Sequence, residues 1–291
     1  MLVYTTLFTL AGKMPKDNKY IAMFYIWFSY LKKYSGLGPG DTVGVIMDEE
    51  TLNYINEDDN PYFSCIANDA NFELELCVMP RPATLSDGFA QRYNMEHFSN
   101  FQKHKINLHL DIDCLPIKNI HLLFEGAEDA GGDLFIMPEM YEGMTHKNYA
   151  GHFVEECPIA KKMCGFSAGW YAWKWGEGIK EFFADVSKGL AGHVGEPLYT
   201  VDQPFFNYEI YLRVSGKASA SASAAAPVPL KAQIKISIMD SKIVSLNTLF
   251  SGQGISDSFF ANFCGEPGVE DCHFYKMLAF MCMDFSSSKT S

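Results

Sequence analysis

No CxxC pair and no zinc-ribbon spacing occur in this chain, although it carries 8 cysteines. Scattered thiols of this kind read as free and mostly buried in a reducing compartment, not as a disulfide framework. No basic n-region precedes the apolar start Leu2–Leu10, so a secretory leader is not expected and the expected location is cytoplasmic. No run of about 18 apolar residues is free of breakers, which predicts no transmembrane helix and no membrane anchor. Positive charge is short as well: Lys plus Arg total 23 against 35 Asp plus Glu, a net charge of −12. That balance argues against a nucleic-acid partner or an anionic membrane surface. An anionic small substrate stays open, because a bound divalent cation can invert the local field. The turn Gly36-Leu37-Gly38-Pro39-Gly40 lacks the lysine of a P-loop.

What the chain has in quantity is apolar material, 48% of 291 residues with 14% aromatic. That is enough for one large core, or for a main domain with a smaller subdomain. Leu2–Leu10 is β-rich and stops at Gly12 and Pro15, a first strand leading into a loop. Asn18 can cap a helix over Lys19–Tyr34, whose Tyr20, Phe24, Trp27 and Leu31 recur at helical spacing, with Lys32 and Lys33 in the last turn. Thr42–Met47 reads as a strand ending in Asp48, followed by a short helix ending near Ile55. Phe72–Met79 is a further strand, and Thr84–Phe98 is partly helical, with Phe89, Arg92 and Tyr93 its notable side chains. Strands then follow at Asn107–Pro116, Asp133–Met137 and Cys164–Trp175, with helices at Glu177–Val186 and from Asp202 through Tyr211. Ser215–Pro229 is low in complexity and reads as a flexible insertion. Ala232–Ile238 alternates as a half-exposed strand with Ile243–Phe250 as its expected neighbour, a last helix opens at His273, and Ser286–Ser291 should fray. Strands alternating with helices predict an α/β fold with a mostly parallel sheet.

Chemistry is most concentrated at Asn107–Pro116, where an apolar run ends in Asp111-Ile112-Asp113. Open α/β sheets hold ligands at strand C-terminal ends, and two carboxylates there suit Mg²⁺ or Mn²⁺, with phosphate oxygens and water completing the shell. The alternative is a strand end followed by an acidic turn. His273 is the best late candidate for a third ligand, and Lys276 lies one turn beyond it, able to reach a phosphate; an ordinary helix start with a solvated lysine is the other possibility. Ser167-Ala168-Gly169 would allow either close approach of a ligand to the backbone or tight packing against a helix. Asp202-Gln203 offers a carboxylate and an amide suited to sugar hydroxyls, or a mere helix cap. Trp170, Trp173 and Trp175 form either core or a carbohydrate-stacking face.

Taken in order over residues 3 to 280, these motifs resemble the nucleotide-diphospho-sugar transferases of the GT-A fold, and in particular the glycogenin-like branch, glycosyltransferase family 8. The resemblance implies a GT-A fold with a mostly parallel mixed central sheet flanked by helices. It implies one such domain over residues 1–285, with 215–229 as a flexible insertion and 286–291 as a disordered tail. The family's DxD motif matches Asp111-Ile112-Asp113. Its first strand, whose end receives the nucleotide base, corresponds to Thr5–Ala11, which puts Thr9, Leu10, Ala11 and Tyr20 at the donor. Its phenylalanine-asparagine-serine/alanine-glycine strand looks like Phe166-Ser167-Ala168-Gly169, with serine where asparagine is usual. Its Asp-Gln pair with a following asparagine matches Asp202-Gln203 and Asn207, the acid lying near the reacting sugar. Its C-terminal histidine-glycine-lysine pattern begins at Asn262-Phe263-Cys264-Gly265, without histidine or lysine at the usual offsets; His273 and Lys276 would supply both from farther along.

The implied activity is metal-dependent hexosyl transfer, with retention, from a UDP- or GDP-sugar to a glycan or glycoprotein acceptor. Two rivals remain at the level of sequence. One is a metal-dependent nucleotidyltransferase or phosphohydrolase, which would also want paired acids. The other is a sugar- or protein-binding module with a degenerate GT-A site.

Overall fold

The computed structural model describes residues 1–57, 68, 70–98, 101–125, 131–154, 158–193, 200–215, 233–246, 258–263 and 272–287. The chain gathers into two compact units, the first made of Met1–Pro82, Leu110–Ala127 and Lys242–Ser291, the second of Ala83–His109 and Glu128–Ser241.

The first unit opens with β1 (Leu2–Leu7), α1 (Lys19–Tyr34), β2 (Thr42–Asp48), α2 (Glu49–Ile55) and β3 (Glu73–Met79). β1 pairs with β2, and β2 with β3, in parallel register. β2 is buried along its whole length, as a central parallel strand covered on both faces must be. The Asn18 side chain accepts from the Tyr20 amide and caps α1, which buries Phe24, Trp27, Phe28 and Leu31.

In the second unit come α3 (Leu85–Ala90), closed by a capping box between Thr84 and Asp87, a 3-10 turn at Gln91–Tyr93, and β4 (Asn107–Leu110). The chain returns to the first unit at β5 (Cys114–Pro116) and α4 (His121–Phe124). The second unit resumes with β6 (Leu134–Gly143), α5 (Gly151–Val154), β7 (Cys164–Trp173), α6 (Glu177–Gly192), α7 (Gln203–Ser215) and β8 (Ile236–Ile238). β9 (Val244–Leu246), β10 (Phe260–Asn262) and α8 (Cys272–Ser287) complete the first unit.

The strand order is β3-β2-β1-β4-β7-β6-β8 in the larger sheet and β5-β10-β9 in the smaller. β6 runs antiparallel to β7 and parallel to β8, so the larger sheet is mixed and mostly parallel, with helices packed on it.

Several sequence expectations are corrected. Asn107–Pro116 is not one strand: β4 ends at Leu110, the aspartates occupy a turn, and β5 belongs to the other sheet. Among the described residues, β9 of the expected strand Ile243–Phe250 lies parallel to β10, while β8 of Ala232–Ile238 pairs with β6; Ala232 and residues 247–250 lie outside them. β6 runs past the expected Met137 to Gly143 through two register shifts. α6 continues past Val186 to Gly192, carrying buried Leu190 on its apolar face, and Gly189 sits where a Cβ would come within 2.8 Å of the Phe205 ring. α8 as described includes Ser286 and Ser287, the first two residues of the expected tail. Residues 216–229 of the expected insertion and 288–291 of the expected tail lie outside the described residues.

Candidate functional site

In the first unit, the segment after β1 is fastened from three sides. The Thr9 amide donates to Asp48 Oδ2 at 2.8 Å, its hydroxyl meets Thr51 Oγ1 at 2.8 Å, and Asn18 Nδ2 donates to the Phe8 carbonyl and the Thr9 hydroxyl at 2.9 and 3.0 Å. Arg81 donates through Nε to the Thr9 carbonyl at 3.3 Å, through Nη2 to the Lys13 carbonyl, and pairs with Glu50. The Ala11 amide donates to the Pro82 carbonyl at 2.9 Å. Thr9 is therefore a brace, and what the loop presents outward is Leu10, half-buried, and Ala11, exposed. Asp48, the acid at the end of β2, is wholly buried; besides holding Thr9 it caps α2 through the Thr51 amide. Tyr20 is half exposed and stacks on His273 with ring centroids 5.3 Å apart.

The Asp111–Asp113 turn is closed by the Cys114 amide donating to the Asp111 carbonyl at 2.9 Å. It is tied to the end of β10 by the Phe263 amide on the Asp113 carbonyl at 3.0 Å. Ile112 is buried, while the two aspartates flanking it are half-buried. These two backbone bonds tie the turn at both ends. Among the described residues no three His, Cys, Asp or Glu side chains are gathered to hold a metal ion, so Asp111, Asp113 and His273 do not form a protein cage. Two partly exposed carboxylates without a cage suit Mg²⁺ or Mn²⁺, which are commonly held by one or two carboxylates together with substrate oxygens. Lys276 is buried on α8, not the solvated lysine of an ordinary helix start. Cys264 and Gly265 of the C-terminal motif lie outside the described residues.

In the second unit, Asp202 sits just before α7 and its carbonyl takes the Phe205 and Phe206 amides, both at 3.0 Å. Its side chain is buried, accepts from the Tyr93 hydroxyl at 2.5 Å, and lies 3.5 Å from Arg92 Nη1. Burial pushes the Asp202 carboxyl above its ordinary range, while Arg92, Tyr93 and the Asp202 and Gln203 amides pull the other way. Val201, immediately before it, holds φ of 40°. For a β-branched residue that left-handed backbone is strained, and such strain concentrates at functional positions.

Gln203 accepts from the Ala168 amide at 3.0 Å and donates to the Asn148 carbonyl at 3.2 Å. Arg92 Nη1 donates to the Ala168 carbonyl at 3.3 Å. Asn207 accepts from the Phe166 amide and donates to its carbonyl, both at 2.8 Å. The Ser167-Ala168-Gly169 backbone is thereby packed against α7 and the 3-10 turn. Ser167 Oγ is used locally by the Gly169 amide at 3.3 Å. Trp170 and Trp173 are core residues, and Trp175 packs on Phe101 at 4.7 Å. His109 is fully buried and stacks on Tyr171 at 4.8 Å; burial, then the nearby Arg92, hold its pKa well below the ordinary value, so it is neutral.

The structure thus sorts the expected residues into two sets: Thr9–Ala11, Tyr20, Asp111–Asp113, His273 and Lys276 in one unit, Ser167–Gly169, Asp202 and Gln203 in the other. Sequence reasoning gave no role to Arg92 and Tyr93, which hold Asp202, or to Arg81, which holds the Thr9 loop. It also passed over Glu139, which accepts from the Tyr149 hydroxyl at 2.6 Å beside a register shift of β6. Only the Arg92-Tyr93 pair carried a signal, as a cation and a phenol at adjacent positions of the partly helical stretch Thr84–Phe98.

No protein-family model and no curated protein sequence matches the chain. Solved structures do. A galactosyltransferase, LgtC, in complex with donor and acceptor sugar analogs superposes with a TM-score of 0.57 at 14% identity, over 98% of this chain and 96% of that one. An active-site mutant of LgtC gives 0.57 at 12% identity over 98% and 96%. The bifunctional glycosyltransferase WbbM gives 0.57 at 9% identity over 94% of this chain and 49% of its own. The class these likenesses define is the GT-A fold, a mixed central sheet flanked by helices. Among the described residues no helix is long and apolar enough to cross a membrane.

Proposed function

We propose that this chain is a glycosyltransferase that moves a hexosyl unit from a nucleotide-diphosphate sugar, UDP or GDP, to a glycan or glycoprotein acceptor, with retention at the anomeric carbon. The observation that carries the reading is the Asp111–Asp113 turn, two half-buried carboxylates at the end of β4 in a GT-A fold. Asp111 and Asp113 would hold Mn²⁺ or Mg²⁺, and such a cation supplies positive charge to a departing diphosphate. Two carboxylate donors with substrate oxygens suit either cation. Tyr20, Leu10 and Ala11 offer surface for a nucleotide, and Lys276 a positive charge for its phosphates. Asp202 and Gln203 would serve the sugar, Asp202 with a carboxylate and Gln203 with an amide. A cytoplasmic location accords with this chemistry.

One observation favours a second reading, a sugar- or protein-binding module. Each end of the Gln203 amide already holds one hydrogen bond inside its own unit, so only one N–H and one lone pair of it are left for a sugar in this state. Titration calorimetry with Mn²⁺ plus UDP, then GDP, separates the two. The transferase requires metal-dependent nucleotide binding that Asp111→Ala abolishes while the circular dichroism spectrum stays unchanged. Binding of neither nucleotide, or full binding by D111A, sinks it.

A further inference from the structure

Asp202 is the strongest carboxylate candidate in the second unit, and its surroundings are specific. Tyr93 is buried to 2% and Arg92 to 2% exposure, on adjacent positions of one 3-10 turn, and both point at Asp202 Oδ2. The Asp202 and Gln203 amides add backbone hydrogen bonds to the same carboxylate. The Tyr93 ring is itself locked, stacked on Tyr171 at 5.9 Å and on Phe206 at 6.2 Å, with Phe183 at 5.7 Å. Arg92 is committed elsewhere as well, to the Ala168 carbonyl at 3.3 Å and over the Phe89 ring at 4.3 Å. The phenol is thus the closest and most rigidly held group on the carboxylate.

Resting on the transferase reading, we propose that Tyr93 is a positioning residue: its hydroxyl orients the Asp202 carboxylate and keeps it in the charged form used at the sugar. The chemistry is a charge-assisted hydrogen bond in a site shielded from water, where such a bond is stronger than in solvent. A buried carboxyl tends to take up a proton, and a phenol donating to the anion opposes that. The charged or titratable groups facing Asp202 are Arg92 and Tyr93; His109 of β4, within the field of Arg92, is neutral and adds no charge. The strained Val201 next in the chain fits the same role, since it limits how Asp202 can turn away.

The test is Tyr93→Phe in the full chain, which removes one oxygen and keeps the ring packing. Donor turnover with Mn²⁺ is followed by nucleotide release across pH, with Asp202→Asn alongside. Y93F is expected to keep its donor KM within about twofold and lose roughly tenfold in kcat, equivalent to about 1.4 kcal/mol. The acid limb of its kcat profile should move to higher pH, because the anion has lost a donor that stabilised it. A purely structural tyrosine would lower the melting temperature without moving that limb. Carboxyl-carbon NMR of labelled aspartate in Y93F and wild type reads the same pKa without any turnover. A wild type that turns over no sugar nucleotide overturns the transferase reading alone, and the NMR shift then decides the link between Tyr93 and Asp202. An unchanged acid limb together with an unchanged Asp202 titration overturns the positioning role.

Discussion

Asn207 bonds both backbone groups of Phe166 on β7, and removing it should be costly. Its amide accepts from the Phe166 N–H and donates to the Phe166 C=O, both at 2.8 Å, and also donates to the Gln203 carbonyl at 2.9 Å. Asn207 is fully buried and Phe166 nearly so, so water cannot replace these bonds. Asn207→Ala strands two backbone groups of β7, at about 1–3 kcal/mol for each left unsatisfied. The Gln203 carbonyl lies one helical turn away and retains the helix ladder, so it adds little. Taking about 3 kcal/mol for the pair and about 2–4 °C per kcal/mol for a unit of this size, the melting temperature should fall by about 6–12 °C. Differential scanning calorimetry is the assay, with Asn207→Asp as the intermediate case that keeps the acceptor for the Phe166 amide and loses the donor. A fall of less than about 2 °C in N207A would show that Phe166 finds other partners and that the asparagine after Asp-Gln is not a structural tie.

Arg81→Ala should loosen the loop from Thr9 to Lys13, raising the dissociation constant for nucleotide with kcat unchanged at saturation; an unaltered calorimetric affinity would separate that loop from nucleotide binding. Val201→Gly should relieve about 1–3 kcal/mol of backbone strain, offset by about 0.5–1 kcal/mol of added backbone entropy and by lost side-chain burial, so its melting temperature should stay within a few degrees while turnover drops. A collapse of its stability would mean that Val201 is not strained. Burial holds the folded Asp202 carboxyl above its unfolded value, so the folded state binds more protons between the two. This contribution to stability is present below the ordinary carboxylate range and is lost as pH rises through the raised value. Asp202→Asn should remove that fall from a plot of unfolding free energy against pH, and a parallel plot would contradict it.

The elements written most plainly in the sequence were local. α1 has its Asn18 cap and apolar stripe, and Lys19–Tyr34 is where the helix lies. β2 and α2 share Asp48, which ends the strand and caps the helix. Long-range pairing was not legible. β9 joins β10, since an alternating apolar pattern says which face is buried and not which strand covers it. The same blindness ran β4 into β5: both are buried, and a buried strand looks alike in either sheet. At the site, the acid pair was legible as a motif, but its setting in a turn was not. Asp202 was visible as a cap or a site acid, while its hold by Arg92 and Tyr93, about a hundred residues earlier, depends on tertiary packing. Lys276 read as solvated or phosphate-bound because nothing local reports that its stretch of α8 is buried.

The Asp111–Asp113 turn depends on the far end of the chain. β5 pairs antiparallel with β10, Cys114 opposite Asn262, and the Phe263 amide closes on the Asp113 carbonyl. During synthesis the two aspartates emerge long before the strand that secures them. Until β10 is made, the turn lacks the Phe263 tie to Asp113, so the proposed cation seat matures among the last features of the fold. A nascent chain halted before Phe260 should therefore carry both carboxylates and still fail to retain Mn²⁺, which radiolabelled or fluorescent metal binding on stalled chains would read directly.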